Sequence, residues 1–423
     1  MRRADRTLDR HVVVPFLTLL LAACDAGNAR NDGVVVRDSA GVTIVENERP
    51  VRAGGDWITV ETDPIVRIGT VDGPVEQQLL RVRDATRLPD GRIVLLNSGT
   101  SDVRFYDAQG RHIRTVGRAG AGPGEFQSPR WLAVRADTLV VFDPFQENGR
   151  LTYLDLEGDY LGDHRPVVPG VAYPSPDAML PDGSLLDELS QGSVGPTELG
   201  HVRFTRAPVR YARTGESLDT IAVVAGGETF RAQLGAGIAQ RDVPFGLRAQ
   251  TARAGDRLYL GNGDGFRVDA YSLDGERLLS IRARHEPMTV TPALKQRWID
   301  ATLSDPIYQA RPDAAQTARE MYVAAPLRET ARAYSSLRAD ASGRLWVQRY
   351  TPPWEVANAW SVFDRDGRWL GDVDLPPGLA VLEIGTDYVL GVRTDEMDVE
   401  YVVVYRVRGA RPEPPYHGTG SRP

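Results

Sequence analysis

The stretch GRAGAGPGEFQSPRWLAV, residues 117–134, places four glycines and two prolines directly before an apolar run. Glycine permits positive φ angles and close backbone approach, and proline fixes φ. The segment is therefore suited to a tight connection, and the residues after Pro129 predict a β-strand. Because these glycines precede a strand rather than a helix, they do not predict a phosphate-binding loop. The stretch instead predicts a crossover between two units of a β-protein.

A hairpin motif recurs six times along the chain. Each copy has an apolar start, a short polar turn rich in Asp and Gly, and a strand with β-branched, aliphatic or aromatic residues. The copies are residues 88–95, 135–141, 180–186, 253–260, 337–347 and 384–390. Six copies predict six structural units.

A second hairpin follows the first in five of the units. It consists of an alternating strand, a turn similar to D-x-x-G, and another strand, in residues 103–116, 151–161, 209–222, 268–281 and 360–373. The third unit lacks the Asp of this turn. Two hairpins form a four-stranded antiparallel meander that buries its faces only against its neighbours. The sequence therefore predicts an all-β fold, a six-bladed β-propeller with four-stranded antiparallel blades.

The sixth unit ends at residues 400–407 without a fourth strand. Residues 65–69 precede the first unit as residues 113–117 precede the second, and each is followed by a Gly-rich loop. We therefore expect the early strand to complete the last blade, which removes open sheet edges. The propeller is predicted to span residues 34–409. The hairpin in residues 34–45 has the same turn type, and its position is left open by the sequence.

Two insertions interrupt the repeat. Residues 188–200 predict a loop within the third unit. Residues 291–322 predict a small helical insertion, because Thr291 is a good N-cap and Pro292 suits the first helical position. A second helix is expected over residues 313–322. The pair either lies over one face as a lid or covers an exposed blade edge.

The N-terminus carries export signals. Four arginines precede an apolar run at residues 12–23, which is of secretory length and too short to span a bilayer. The run ends in LAAC and resembles the bacterial lipobox, so residues 1–23 predict a lipoprotein signal peptide and Cys24 the lipidated residue. The alternatives are an ordinary signal peptide or a signal anchor. Residues 24–33 predict a flexible tether and residues 410–423 a disordered tail. We expect a protein anchored to a membrane of the bacterial envelope, on its periplasmic or extracellular face.

The string in residues 117–126, with Pro129, the pair Phe142 and Asp143 and the next D-x-x-G turn, resembles the NHL-type repeats of six-bladed β-propellers. The resemblance is to bacterial lipoprotein propellers in particular and covers residue 65 to about residue 407. It implies a protein-binding or ligand-binding module, a nucleic-acid binder, or a lyase or hydrolase with a channel metal. The net charge of −7 disfavours a nucleic-acid partner.

Candidate binding residues come from the crossover loop and from an aromatic group in the fifth unit. They are Glu125, Phe126, Arg130 and Trp354. Crossover loops line one face of a propeller, and exposed aromatic rings provide rigid apolar area. The structural alternatives are that Glu125 caps backbone amides, that Phe126 packs between blades, and that the aromatic residues fill a blade.

Neither a catalytic residue nor a metal site nor a cofactor is predicted. The sequence has no G-x-S-x-G element, and residues 261–265 fit an ordinary hairpin turn better than an ion loop. Four histidines are expected on outer strands or linkers: His112, His164, His201 and His285. The sequence thus favours a noncatalytic binding or scaffold module for a protein, peptide or glycan. The alternative is a metal-dependent propeller enzyme with its site in the central channel.

Overall fold

The computed structural model describes residues 33–409, except 53–56, 147–148, 167–174, 192–197, 213, 215 and 236. The predicted signal peptide, Cys24, nearly all of the tether and the C-terminal tail lie outside the described residues. None of the described helices combines the length and the hydrophobicity that crossing a bilayer requires.

Six sheets follow one another along the chain as six blades. The strands before the first blade are β1 (Val34–Ser39), β2 (Val42–Asn47), β3 (Thr59–Val60) and β4 (Val66–Ile68). Blade 1 contains β5 (Val82–Arg87), β6 (Ile93–Asn97), β7 (Asp102–Tyr106) and β8 (His112–Val116). Blade 2 contains β9 (Trp131–Arg135), β10 (Thr138–Asp143), β11 (Arg150–Asp155) and β12 (Tyr160–His164). Blade 3 contains β13 (Ala178–Met179), β14 (Leu185–Gln191), β15 (Gly200–Tyr211), β16 (Ser217–Thr220), β17 (Val224–Leu234) and β18 (Gly237–Asp242).

The second half of the chain adds three blades and the helices. Blade 4 contains β19 (Gln250–Ala254), β20 (Arg257–Gly261), β21 (Arg267–Ser272) and β22 (Arg277–Ala283). The helices are α1 (Pro292–Leu303), α2 (Pro306–Gln309) and α3 (Pro312–Ala324). Blade 5 contains β23 (Tyr334–Ala339), β24 (Leu345–Arg349), β25 (Ala359–Phe363) and β26 (Trp369–Asp374). Blade 6 contains β27 (Ala380–Ile384), β28 (Tyr388–Thr394) and β29 (Glu400–Arg408).

The predicted hairpins are present, and their turn residues explain them. In the D-x-x-G turn between β7 and β8, the Asp107 carboxylate accepts the backbone amides of Gln109 and Arg111, each at 2.9 Å. Gly110 completes the turn at a φ of 81°, which glycine adopts at little cost. These local bonds close the hairpin of β7 and β8. The six-bladed, all-β prediction is confirmed.

Ring closure follows the prediction. The early strand β4 pairs antiparallel with β29, with Arg67 opposite Val403. The short strand β3 also pairs with β29, with Val60 opposite Val407. An N-terminal segment thus completes the last blade and covers the edge that β29 would otherwise expose.

The N-terminal hairpin, which the sequence left unplaced, extends blade 4. Strand β2 runs parallel to β22, with Val45 opposite Ile281. The Asn47 side chain donates to the carbonyls of Arg282 and Gly367, each at 3.0 Å, and accepts the Trp369 amide at 2.9 Å. Blade 4 therefore has six strands, and Asn47 ties the hairpin to blade 5 as well.

Blade 3 departs most from the simple repeat. Blades 1, 2 and 5 have the expected four strands, whereas the sheet of blade 3 has six. The prediction of a loop over residues 188–200 is wrong at both ends, because β14 continues to Gln191 and β15 begins at Gly200. The long β15 pairs on one side with β14 and on the other with both β16 and β17. The hairpin of β17 and β18 is an additional element that the repeat pattern does not contain.

The helical insertion packs beside the blades. The Thr291 hydroxyl caps α1 by accepting the Leu294 amide at 3.2 Å, as the sequence predicts. Trp298 of α1 and Tyr322 of α3 are buried in one cluster with Phe245 from the segment between blades 3 and 4. Because α3 also contacts β17 and β18, the helices cover the extended part of blade 3.

Candidate functional site

A pocket of about 510 Å³ lies where the first strands of the blades converge on the axis. Its wall includes residues from β5, β19, β23 and β27, together with residues at the start of β9 and on β14 and β15. All six blades therefore contribute to it. The charged residues that line this axial pocket are Arg83, Arg130, Arg206, Arg253, Arg338, Asp84, Asp177 and Glu188. Arginine is the prevailing charged residue.

The alternation of a β-strand explains how arginine reaches the axis. In β19, Ala252 and Ala254 are buried within the core cluster between blades 4 and 5. Arg253 stands between them on the opposite face of the strand, and its side chain lines the pocket. In β23, Leu337 is buried and the next residue, Arg338, lines the pocket. The same alternation that builds the interblade core therefore directs the guanidinium groups to the axis.

The axial carboxylates are engaged by neighbouring blades. Asp84 of blade 1 accepts the amides of Ala85 at 2.9 Å and of Leu132 in blade 2 at 3.0 Å. Burial raises the pKa of Asp84 to about 6, although these two hydrogen bonds oppose the shift. Asp177 accepts the Glu188 amide at 3.1 Å, and burial also raises its pKa. These carboxylates join strands across and within blades.

Asp187 lies next to this group in β14. Burial raises the pKa of its carboxyl to about 6, and the nearby negative charge of Asp177 adds to the shift. Of these two carboxyl groups only that of Asp84 lines the axial pocket, and both are balanced between their neutral and charged forms near pH 6.

Three of the five axial arginines have protein partners. Arg130 donates to the Ser175 hydroxyl at 2.9 Å and to the Asp177 carboxylate at 3.3 Å. Arg206 forms an ion pair with Glu188 and donates to the Ala249 carbonyl at 3.3 Å. Arg338 donates to the Val381 carbonyl of blade 6 at 3.3 Å. These contacts fix the positions of the three guanidinium groups.

Arg83 and Arg253 differ from the other three. Within the described part of the chain, the side chain of neither residue forms a hydrogen bond or an ion pair. Burial lowers the pKa of Arg253, and the negative charges of Asp177 and Asp84 oppose the shift from a distance. Both side chains therefore present their donors to the pocket.

The predicted binding residues separate in the structure. Arg130 lines the axial pocket. Glu125 caps its own loop, because its carboxylate accepts the Gly122 amide at 2.8 Å and pairs with Arg118 at 2.7 Å. The Gly122 bond and the Arg118 charge lower the pKa of Glu125. This is the structural alternative for Glu125 rather than the recognition role.

Phe126 is a correction to the predicted binding surface. It is fully buried with Leu132 and Leu154 in the core cluster between blades 1 and 2, so it is not available to a ligand. Trp354 is half-buried and lies outside the axial pocket: its ring is 6.4 Å from that of Phe245, and the Arg297 guanidinium lies 4.4 Å above it. Phe126 thus serves in packing, and Trp354 makes its aromatic and cation–π contacts outside the axial pocket.

Four arginines of the pocket are not identified by any sequence pattern: Arg83, Arg206, Arg253 and Arg338. Arg253 and Arg338 lie within the repeated hairpin motif, where they look like solvated residues that flank a turn. The available signal was their position on the first strand of a blade, opposite buried neighbours.

The described ranges contain no group of three or more His, Cys, Asp or Glu residues that could hold a metal ion. Of the four histidines, His201 of β15 contacts the buried Glu228 at 2.8 Å. The segment 261–265 forms the turn between β20 and β21, in which Asn262 accepts the Asp264 amide at 3.0 Å. It is a hairpin turn, as the sequence favoured.

Comparisons with known proteins agree with this topology. A family model described as DUF5128, a 6-bladed β-propeller, matches residues 77–172, which contain blades 1 and 2. Comparison with curated protein sequences finds no significant match. A solved structure of a DUF4221 family member from Bacteroides vulgatus is similar, with 11% identity and a TM-score of 0.51 over 84% of this chain and 99% of that one.

Two further solved structures are more distant. An exported protein from Bacteroides fragilis has 12% identity and a TM-score of 0.46 over 86% of this chain and 99% of that one. Virginiamycin B lyase from Staphylococcus aureus has 10% identity and a TM-score of 0.38 over 83% of this chain and 99% of that one. The sheet topology, the family match and the likeness to the DUF4221 protein concur: this chain is a six-bladed β-propeller.

Proposed function

We propose that this propeller is a noncatalytic binding module of the bacterial cell envelope, attached to a membrane through a lipid on Cys24. Its partner is a protein, peptide or glycan that inserts a polar or charged group into the axial pocket. The observation that carries the proposal is the set of arginines from five blades that converge on the axis.

The charge pattern favours binding over metal-dependent catalysis. Guanidinium groups repel a cation, and a metal site needs carboxylate or imidazole groups that are free to coordinate. The axial carboxylates already have other partners, since Asp84 accepts two backbone amides, Asp177 accepts a backbone amide and an Arg130 N–H, and Glu188 pairs with Arg206. A ligand that accepts hydrogen bonds fits this wall better than a cation does.

Partner capture with matched variants tests the binding role. Full-length protein is crosslinked in its native membranes, and the recovered partner is compared for the wild type, Arg253→Gln and the control Arg111→Gln. Arg111 is an exposed arginine on the turn after β7, away from the axial pocket. We expect Arg253→Gln alone to lose the partner. Equal recovery by all three proteins would contradict binding through the pocket.

A second measurement tests the noncatalytic role. Elemental analysis of protein purified without chelator should give less than one metal ion per chain. A stoichiometric metal that is lost in Asp84→Asn or Asp177→Asn would instead support a propeller lyase or hydrolase.

The anchor has a separate test. The sequence LAAC before Asp25 supports lipidation of Cys24. Mass spectrometry of the mature N-terminus should find an acylated cysteine, and Cys24→Ser should move the protein from the membrane fraction to the soluble fraction. An unmodified mature N-terminus would contradict the anchor and leave the binding role to its own test.

A further inference from the structure

The axial pocket carries a surplus of positive charge. Five arginines and three carboxylates line it, so the wall has two more cationic than anionic side chains. The whole chain has the opposite sign, with a net charge of −7. The positive charge is therefore a local property of the axis and does not follow from composition.

The surplus positive charge comes from the axial arginines that have no carboxylate partner. Arg130 and Arg206 have carboxylate partners in Asp177 and Glu188. The side chains of Arg83 and Arg253 have no hydrogen bond or ion pair among the described residues, and the Arg338 side chain binds only backbone carbonyls. Three guanidinium groups from blades 1, 4 and 5 thus share one pocket without a bound carboxylate.

Such an arrangement costs free energy unless an anion joins it. Burial lowers the pKa of Arg338, and the positive charge of Arg253 lowers it further, which places the two guanidinium groups within electrostatic reach of each other. Like charges in a partly desolvated site repel, and an oxyanion between them would replace repulsion with hydrogen-bonded pairs. The planar guanidinium matches the two oxygens of a carboxylate or a phosphate.

The dimensions of the pocket limit the ligand. A volume of about 510 Å³ is in the range of small-molecule sites and would also admit one end of a chain. Part of the wall is apolar, from Trp131, Leu337 and Leu382. Trp131 is not a free stacking platform, because its ring is stacked on Phe142 and its indole N–H donates to the Pro176 carbonyl at 2.7 Å.

We propose that the axial pocket binds a multiply charged oxyanion, a di- or tricarboxylate or a phosphate group, between the guanidinium groups of Arg253, Arg83 and Arg338. This inference rests on the proposed function, because it names the chemical class of ligand that the same pocket takes. Arg130 and Arg206 hold the pocket carboxylates Asp177 and Glu188 away from the ligand.

Titration calorimetry on the full-length protein in detergent tests the inference. The probes are succinate, citrate and inorganic phosphate, with sodium chloride at matched ionic strength as the control. We expect at least one oxyanion to bind and chloride to give no saturable heat. A charged hydrogen bond lost in Arg253→Gln should weaken binding roughly tenfold to a hundredfold. Arg253→Lys keeps the positive charge but loses the planar guanidinium, so its oxyanion affinity should lie between those of the wild type and Arg253→Gln. Arg111→Gln should bind as the wild type does.

Each outcome is informative. Binding of succinate or citrate without phosphate assigns the ligand to carboxylates, and the reverse assigns it to phosphates. No binding of any probe, or equal affinity in Arg253→Gln, overturns the oxyanion site. If partner capture still depends on Arg253 in that case, the binding module stands and only its ligand class is wrong. If oxyanions bind but capture is independent of Arg253, the proposed function fails and the oxyanion site stands. Arg83→Gln serves as the second variant if Arg253→Gln does not fold.

Discussion

Gly117, the first residue of the crossover loop, offers a quantitative test of how the loop joins blades 1 and 2. Its φ is +84°, in the left-handed region that glycine favours. A Cβ at this position would lie 2.5 Å from Cε2 of Phe126 and 3.2 Å from the Gly124 carbonyl oxygen. Because Phe126 is fully buried, its ring has no free space into which to move. Gly117→Ala therefore meets both backbone strain and a steric overlap.

The two contributions set the expected magnitude. A left-handed conformation costs an L-residue about 1–2 kcal/mol. Overpacking a filled core costs about 1–3 kcal/mol. Together they predict that Gly117→Ala lowers the free energy of unfolding by about 2–5 kcal/mol, a large part of the roughly 5–15 kcal/mol that stabilises a typical protein.

Two other glycines of the same loop are matched controls. Gly124 also has a positive φ, +69°, but its nearest neighbour would be Tyr160 Cδ2 at 3.6 Å, so Gly124→Ala should show only the strain of about 1–2 kcal/mol. Gly122 has no left-handed φ, and its Cβ would meet the flexible Glu125 carboxylate at 3.1 Å. Gly122→Ala should change stability by no more than about 0.5 kcal/mol. Urea unfolding followed by tryptophan fluorescence measures all three. A cost for Gly117→Ala no greater than that for Gly122→Ala would refute the reasoning.

Three further predictions concern the core, the axial pocket and the N-terminal hairpin. Phe126→Ala should cost about 3–5 kcal/mol of unfolding free energy in the same urea experiment, because it empties a buried site between two blades. Affinity for sulfate, an oxyanion that stays doubly charged over this range, should rise in calorimetry as the pH falls from about 7.5 to 5.5, since Asp84 of the pocket wall has a pKa of about 6 and its protonation removes negative charge beside the ligand; a sulfate affinity that falls or stays constant would contradict this. Asn47→Ala removes three hydrogen bonds of the hairpin and should speed amide hydrogen exchange in residues 34–47 while exchange in blade 2 is unchanged.

The elements that sequence predicted correctly are those with local signals. The turn at Asp107 and Gly110 is closed by side-chain and backbone bonds within five residues, so its sequence is sufficient to identify it. The closing strand β4 was found because residues 65–69 repeat a pattern seen again at residues 113–117. Both are cases in which the chain carries the information close to the element that it forms.

The elements that sequence left open depend on distant partners. The N-terminal hairpin docks through a parallel pairing of Val45 with Ile281, and nothing near residue 45 indicates that partner. The extension of blade 3 depends on how the long strand β15 divides its outer edge between β16 and β17. Local propensity identifies such strands without identifying their neighbours.

The axial arginines illustrate the same limit for the site. A polar residue that alternates with buried residues along a strand faces either the solvent or the propeller axis. Both situations produce the same alternating sequence, so the sequence does not distinguish them. Arg253 becomes part of a pocket only because ring closure brings the first strands of all the blades together. The fold could therefore be predicted from repeats, whereas the pocket required the completed ring.

The crossover loop links the packing of the blades to the geometry of the axial pocket. Phe126, the buried residue of the loop, fills the space between blades 1 and 2, and the Asp143 carboxylate then accepts the amides of Gln127 at 2.6 Å and Ser128 at 3.0 Å. These contacts set the point at which β9 begins, and Arg130 precedes that strand directly.

The start of β9 is also where blade 2 reaches the axial pocket. Arg130 places its guanidinium beside the Asp177 carboxylate. Two residues further on, the backbone N–H of Leu132 donates a hydrogen bond to the Asp84 carboxylate of blade 1. A change that shifts the loop should therefore alter the axial pocket without touching a lining residue. Gly117→Ala should weaken oxyanion binding as well as stability, whereas Gly122→Ala should leave both unchanged. A destabilised Gly117→Ala protein that binds oxyanions with full affinity would show that the loop holds the blades together without setting the geometry of the pocket.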